Sequence, residues 1–211
     1  MGVRNWKCPG NNLDSEIFSV QQKYSLPRPV AMFLVARGIP ENEVEGFLEP
    51  RLANLSDPYR FPGIREAAAR HGLPSERVRA LIFRESRFDP AARGRAGEIG
   101  LMQVLPSGAA AEWARVRKGP APSARELYAV RTNLEVGCFY LSTGMRRWRG
   151  YKGQTALALC QYNAGESRAL KWRPEDPEDA EILSRITIRS TREYVRSVLK
   201  RYRRYCKKQE K

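Results

Sequence analysis

Apolar residues along this chain recur at helical spacing and almost nowhere alternate. Val, Ile and Thr form no alternating run bounded by turn residues, so sheet is limited to a short hairpin at most. The chain therefore reads as mainly α. Its helices are short and heavily punctuated. Asp14 or Ser15 caps one that runs to about Tyr24. Residues 27–37 form a second, ended by Gly38, and residues 40–48 a third, stopped by Pro50. Residues 55–62 are a turn-rich connector, with Asp57-Pro58 and Pro62-Gly63. Helical spacing then resumes over 64–71, ended by Gly72. Pro74 at the first helical position opens the next helix. Residues 88–99 read as a loop. Helices follow over 106–116, 133–148, 155–162 and 190–205, with a break at 119–123. Residues 166–172 add a turn or two, and 175–179 an acidic loop or helix start.

Charge divides the chain at the same connector. Residues 1–62 carry seven basic and seven acidic side chains, so the whole excess of +15 lies in residues 63–211. We therefore expect two domains, a small helical N-terminal segment over 1–62 and a larger one over 63–211. A basic domain suits an anionic partner, whether nucleic acid, a membrane surface or a wall polymer; a solvated arginine-rich surface explains it equally well. Of the four cysteines, Cys8, Cys138, Cys160 and Cys206, no two have metal-ligand spacing, and His71 is the single histidine. No metal, no cofactor and no disulfide framework is expected, and His71 is expected to be structural. No stretch is long enough to span a membrane. Residues 1–9 lack the apolar core of a signal peptide, and no small-residue pattern precedes Cys8.

Within the larger segment Glu85 stands out. Val78, Ile82 and Glu85 share one helix face, with Leu81 beside them. An acid at the end of an apolar stripe is desolvated, which raises its pKa toward neutrality. A carboxyl group still protonated there can act as a general acid. Alone, such a glutamate is more often salt-bridged or solvent-facing.

Four separated segments change that weighing: Glu85-Ser86, Gly100-Leu101-Met102-Gln103, Gln161-Tyr162-Asn163-Ala164-Gly165 and Thr191-Arg192-Glu193-Tyr194-Val195. Together and in order they resemble the signature blocks of the soluble lytic transglycosylase catalytic domain, family 1 of that class, over residues 59–205. The resemblance implies a lysozyme-like, mainly helical fold. It also implies cleavage of the β-1,4 bond between N-acetylmuramic acid and N-acetylglucosamine in peptidoglycan glycan strands; the family works in the cell envelope, while this sequence shows no export signal to place it there, and a monomer is expected. Most glycosidases use two carboxylates. This class uses one, and the resemblance gives that role to Glu85. The acid protonates the glycosidic oxygen; the resulting carboxylate then takes the proton of the muramic acid 6-hydroxyl, which closes onto C1 as a 1,6-anhydro ring. Ser86, counted with the substrate-binding residues, would hydrogen-bond locally and help fix the loop. Met102 and Gln103 would line the sugar site. Tyr162 and Asn163 would close the opposite wall, with Tyr162 near the Glu85 carboxyl, and Tyr194 would approach that carboxyl from the last helix. Trp113, Trp148 and Trp172 would either stack on sugars or fill the core.

The chain departs from the family pattern in places. Serine is common where Gly94 stands, glutamate and proline where Ser190 and Thr187 stand, and alanine or glutamate where Gln161 stands. Residues 3–63 are similar instead to the extreme N-terminus of RecJ-type single-strand DNA exonucleases. Trp6, Ala36-Arg37-Gly38-Ile39, Phe47-Leu48-Glu49-Pro50 and Leu55-Ser56-Asp57-Pro58 carry that likeness. The aspartate-rich metal motifs of those nucleases are absent from the sequence, so the likeness implies a fused fragment and no nuclease activity. Three rival readings stay open. One is a muramidase that cleaves the same bond with water. Another is a non-functional fusion product. The third is a nucleic-acid-binding protein acting through the basic, tyrosine-interleaved residues 200–208.

Overall fold

The computed structural model of the protein describes residues 13–48 and 63–209. The chain divides into two compact units, Met1–Asp57 and Pro58–Lys211. Trp6, Cys8, residues 49–50 and the connector over 55–62 lie outside the described residues.

In the first unit, α1 (Leu13–Tyr24) packs on α2 (Arg28–Ala36). Ile17, Val20, Ala31, Leu34 and Val44 make a small core. The third helix expected there is divided. A 3₁₀ turn, Glu41–Glu43, comes before α3 (Val44–Leu48). Pro40 starts the turn, and the carbonyl of Glu41 accepts from the Tyr24 hydroxyl at 2.7 Å, which tightens the chain against α1.

The second unit is built around one helix. After α4 (Ile64–Arg70), α5 (Ser75–Ser86) buries Val78, Arg79, Ala80, Leu81 and Ile82 in succession, so it is covered on all sides. Each large aliphatic side chain buried this way contributes roughly 1.5–3 kcal/mol. Pro74 stands one position earlier than the sequence implied. Its ψ of 130° is extended, so it is the N-cap and Ser75 is the first helical residue.

The long terminal helix α12 (Arg189–Gln209) lies against α5. Beyond them α8 (Val130–Arg147) packs on α9 (Gln154–Ala164), and α10 (Glu166–Trp172) folds back on α9. Residues 106–117 form a π-helical turn, Pro106–Ala110, running into α6 (Ala111–Arg117). Two one-turn helices escaped the periodicity because four residues cannot show it: α7 (Ala124–Leu127) and α11 (Ile182–Arg185). The first has a local signature, since Ser123 and Glu126 form a reciprocal capping box. Among the described residues the only strand-like pairing is two isolated antiparallel bridges, Arg93 with Ile99 and Ile99 with Val104.

The aromatic and sulfur side chains settle mostly as core. Trp148 and Trp172 are buried, and their indole N–H groups donate to Gln161 Oε1 (2.9 Å) and Thr187 Oγ1 (3.2 Å). Trp113 packs against the same core with the Arg117 guanidinium over its ring. Cys138 and Cys160 are buried as small hydrophobes, and burial pushes both thiols up to about 12. His71 faces Glu135 at 3.1 Å, beside Arg70. Among the described residues no helix is long and apolar enough to cross a membrane.

Candidate active site

The last turn of α5 delivers Glu85 to a cleft of about 480 Å³. The same cleft is lined by Gln103, Tyr162, Asn163 and Tyr194, four more of the residues singled out in the sequence. Burial beneath the apolar turn of Val78 and Ile82 is the main influence on the Glu85 carboxyl. It pushes the pKa up to about 7 from an ordinary 4.5, against the opposing pull of the Tyr194 hydrogen bond and the Arg84 charge; the Glu98 charge adds to the rise. The Tyr194 hydroxyl, held on α12, donates to Glu85 Oε1. Burial first, and the Glu85 charge second, hold the hydroxyls of Tyr194 and Tyr162 well above the ordinary tyrosine pKa, so both remain donors.

Tyr162 spends its proton elsewhere. Its hydroxyl donates to the Met102 carbonyl at 2.7 Å, not to the Glu85 carboxyl, while its ring leans on Tyr140 at 5.4 Å between centroids. Tyr140, which also lines the cleft, was lost to the sequence reading inside the long apolar run of α8. Asn163 accepts from the buried Thr191 hydroxyl at 2.9 Å, so its NH₂ end is the one open to the cleft.

Two expectations are corrected. Met102 does not line the cleft: its side chain has no exposure and is seated over Gly137, where a Cβ would approach its sulfur to 2.5 Å, and beside the Cys138 thiol. Only its backbone serves the site, through the carbonyl that holds Tyr162. Ser86 also faces away from the cleft. Its hydroxyl donates to the carbonyl of Leu101 at 2.8 Å and ties the end of α5 to the loop beneath.

That loop, residues 87–105, is held by backbone geometry. Arg87, Phe88 and Gln103 all have left-handed φ (53°, 68° and 47°) without being glycine. Such conformations cost of order 1–3 kcal/mol each and persist only where surroundings impose them. The main restraint is Asn133, buried on α8. Its Oδ1 accepts from Met102 N–H at 2.8 Å, and its Nδ2 donates to the carbonyls of Ile99 and Leu127, both at 2.8 Å. Gly100 makes this possible: at φ 73° it passes so close that a Cβ would stand 2.5 Å from Asn133 Nδ2. Gln103 Nε2 closes the loop on the carbonyls of Gly100 (2.9 Å) and Ala92 (3.2 Å). Arg84, Arg95 and Arg168 make the cleft's rim basic.

A helical domain with one tyrosine-held carboxyl at the floor of an open cleft is lysozyme-like. The family model described as "Transglycosylase SLT domain" matches residues 62–184, more than half of the chain, and the chain belongs to that family. Among related proteins, membrane-bound lytic murein transglycosylase E of Buchnera aphidicola is 30% identical over 112 residues, 51% of this chain and 51% of its own. Membrane-bound lytic murein transglycosylase C of Haemophilus influenzae (strain PittEE) is 40% identical over 125 residues, 57% of this chain and 35% of its own. The chain thus spans about half or less of the length of these relatives. Among solved structures, an inactive mutant of lytic transglycosylase Slt from Pseudomonas aeruginosa superposes with a TM-score of 0.62 at 22% identity, covering 92% of this chain and 35% of that one. At such identity the likeness speaks for the fold.

Proposed function

We propose that the protein is a peptidoglycan lytic transglycosylase that cleaves the bond between N-acetylmuramic acid and N-acetylglucosamine with a single carboxyl, Glu85. The observation that carries this reading is Glu85 itself: a carboxyl with a pKa of about 7, facing an open cleft and held by one tyrosine. Near neutrality such a group is divided between its two protonation states. The protonated form gives its proton to the glycosidic oxygen as the bond to C1 breaks. The carboxylate left behind accepts the proton of the muramic 6-hydroxyl, whose oxygen closes on C1. One group working twice needs a pKa near the working pH. Tyr194 holds the carboxyl in one orientation through both steps, and Gln103, Tyr162 and Asn163 contact the sugars.

The basic stretch read as a nucleic-acid platform gives this rival little support. Tyr205 is buried, Arg77 lies over the ring of Tyr202, and Arg201 lies on Phe83, so these groups are engaged within the domain. The deciding experiment is a digest of purified peptidoglycan by the wild type and by Glu85→Gln, with the products read by mass spectrometry. Release of 1,6-anhydro-muramic ends by the wild type and not by the variant is expected. Equal release by both sinks the assignment of Glu85.

A further inference from the structure

The ring-closing reaction leaves Glu98 without a task. Glu98 is half-buried and lines the same cleft as Glu85. Its place is opened by Gly94. A Cβ built on residue 94 would fall on Glu98 Oε2 and lie 2.8 Å from Gln103 Oε1. Glycine therefore lets two acceptor oxygens converge on the space that a side chain at residue 94 would take. Both are fixed. Glu98 Oε2 accepts from Ala96 N–H at 2.9 Å, and Gln103 commits its NH₂ to the Ala92 and Gly100 carbonyls, which turns its Oε1 to that space. Two fixed acceptors, one of them a carboxylate, suit a donor with two hydrogens. A water molecule gives one hydrogen to each and turns a lone pair outward.

We propose that Glu98 is a second catalytic carboxylate, the general base of a hydrolytic branch in which water seated between Glu98 Oε2 and Gln103 Oε1 competes with the 6-hydroxyl for C1. The proposal rests on the reading of Glu85 as the acid. In this branch Glu85 gives its proton to the glycosidic oxygen, which keeps the electron pair of the broken C1–O bond. The water oxygen forms the new bond to C1, and its proton passes to Glu98. The product carries a reducing muramic acid end in place of an anhydro ring. Proton exchange with solvent returns Glu98 to carboxylate and Glu85 to acid, so water is the only co-reactant. An acid and a base flanking the scissile bond is the arrangement of hydrolytic glycosidases.

The test uses the full chain on purified peptidoglycan, with reducing and anhydro muramic ends distinguished by mass spectrometry, since they differ by one water. The wild type is expected to give both. Glu98→Gln keeps the bond from Ala96 N–H but cannot take a proton, and should lower the ratio of reducing to anhydro ends by about a hundredfold, whatever the total turnover. Gly94→Ser keeps Glu98 but crowds it from its seat, and should move the ratio the same way. Glu85→Gln should lose both kinds of end. An unchanged ratio in Glu98→Gln, or a wild type that makes anhydro ends alone, overturns the role of Glu98 and leaves that of Glu85 standing. A wild type that releases neither kind of end overturns both.

Discussion

The two walls of the cleft are held by different means. The helical wall, α5 and α12, carries Glu85 and Tyr194 on regular backbone. Apolar packing of Val78 and Ile82 below and Tyr194 beside fixes where the carboxyl goes. The loop wall, residues 87–105, has almost no regular structure. It relies on left-handed residues and on one buried asparagine from α8. The first wall is stabilised by area removed from water, the second by satisfied polar groups. Damage to each should therefore look different: loss of Glu85 or Tyr194 acts mainly on chemistry, and loss of the polar anchor Asn133 mainly on stability.

The largest effect belongs to Glu85. Glu85→Gln should reduce kcat/KM by about 10³-fold, within the range for loss of a general acid. It should also be the more stable protein at high pH. The folded pKa, about 7, lies above the ordinary 4.5, so between those values the folded state binds more protons than the unfolded chain. Wild-type stability then falls as pH rises through this window. The variant has no such loss, so the gap in melting temperature should be absent below about pH 4.5, open towards pH 7 and level off above it. A variant no more stable than wild type at pH 8 would mean the carboxyl is not desolvated.

Next comes the loop wall. Asn133→Ala removes one acceptor and two donors and leaves Met102 N–H and the carbonyls of Ile99 and Leu127 to find other partners. The expected cost is about 3 kcal/mol in denaturant unfolding, set by buried groups left unsatisfied. A loss below half of that would show the loop supporting itself, and would break the contrast between the walls.

These two substitutions also mark what could be read in advance. Glu85 was legible because its neighbours obey a helical period and because Glu85-Ser86 opens a recognisable set of blocks. Asn133 was read only as the start of a helix, since nothing local says that a side chain in α8 will hold residues 99–102. Met102 was misplaced for a related reason. Its block marks the site, but at this position the backbone serves the cleft and the side chain goes to the core. Two departures from the family pattern have a plain structural use, Gln161 and Thr187 each accepting a tryptophan N–H. Gly94 has its use only in company with Glu98, four residues on, a pairing that no helical or strand period reveals.

A smaller effect is expected of Tyr194→Phe. The Tyr194 hydrogen bond holds the Glu85 pKa down against burial, so its loss should move that pKa upward, above about 7. The high-pH limb of the activity profile, where the acid loses its proton, should shift to higher pH. Turnover at neutrality should fall about tenfold through looser placement of the carboxyl. A limb that does not move would mean the hydroxyl binds both protonation states equally.

The smallest change joins the two walls. Ser86 sits at the end of α5, and its hydroxyl reaches across to the Leu101 carbonyl at 2.8 Å. Ser86→Ala should cost only about 1 kcal/mol, the net worth of an ordinary hydrogen bond. Its value lies in combination with Asn133→Ala. Both side chains restrain residues 99–102, one from α5 and one from α8. If the loop is one cooperative unit, then once Asn133 has been removed the segment is already loosened and Ser86 has little left to hold. The double variant should then be less destabilised than the sum of the singles, by about 0.5–1 kcal/mol, as for residues sharing one network. Strict additivity would mean that the loop is pinned at two independent points, and that the carboxyl wall and the loop wall are connected through α5 alone.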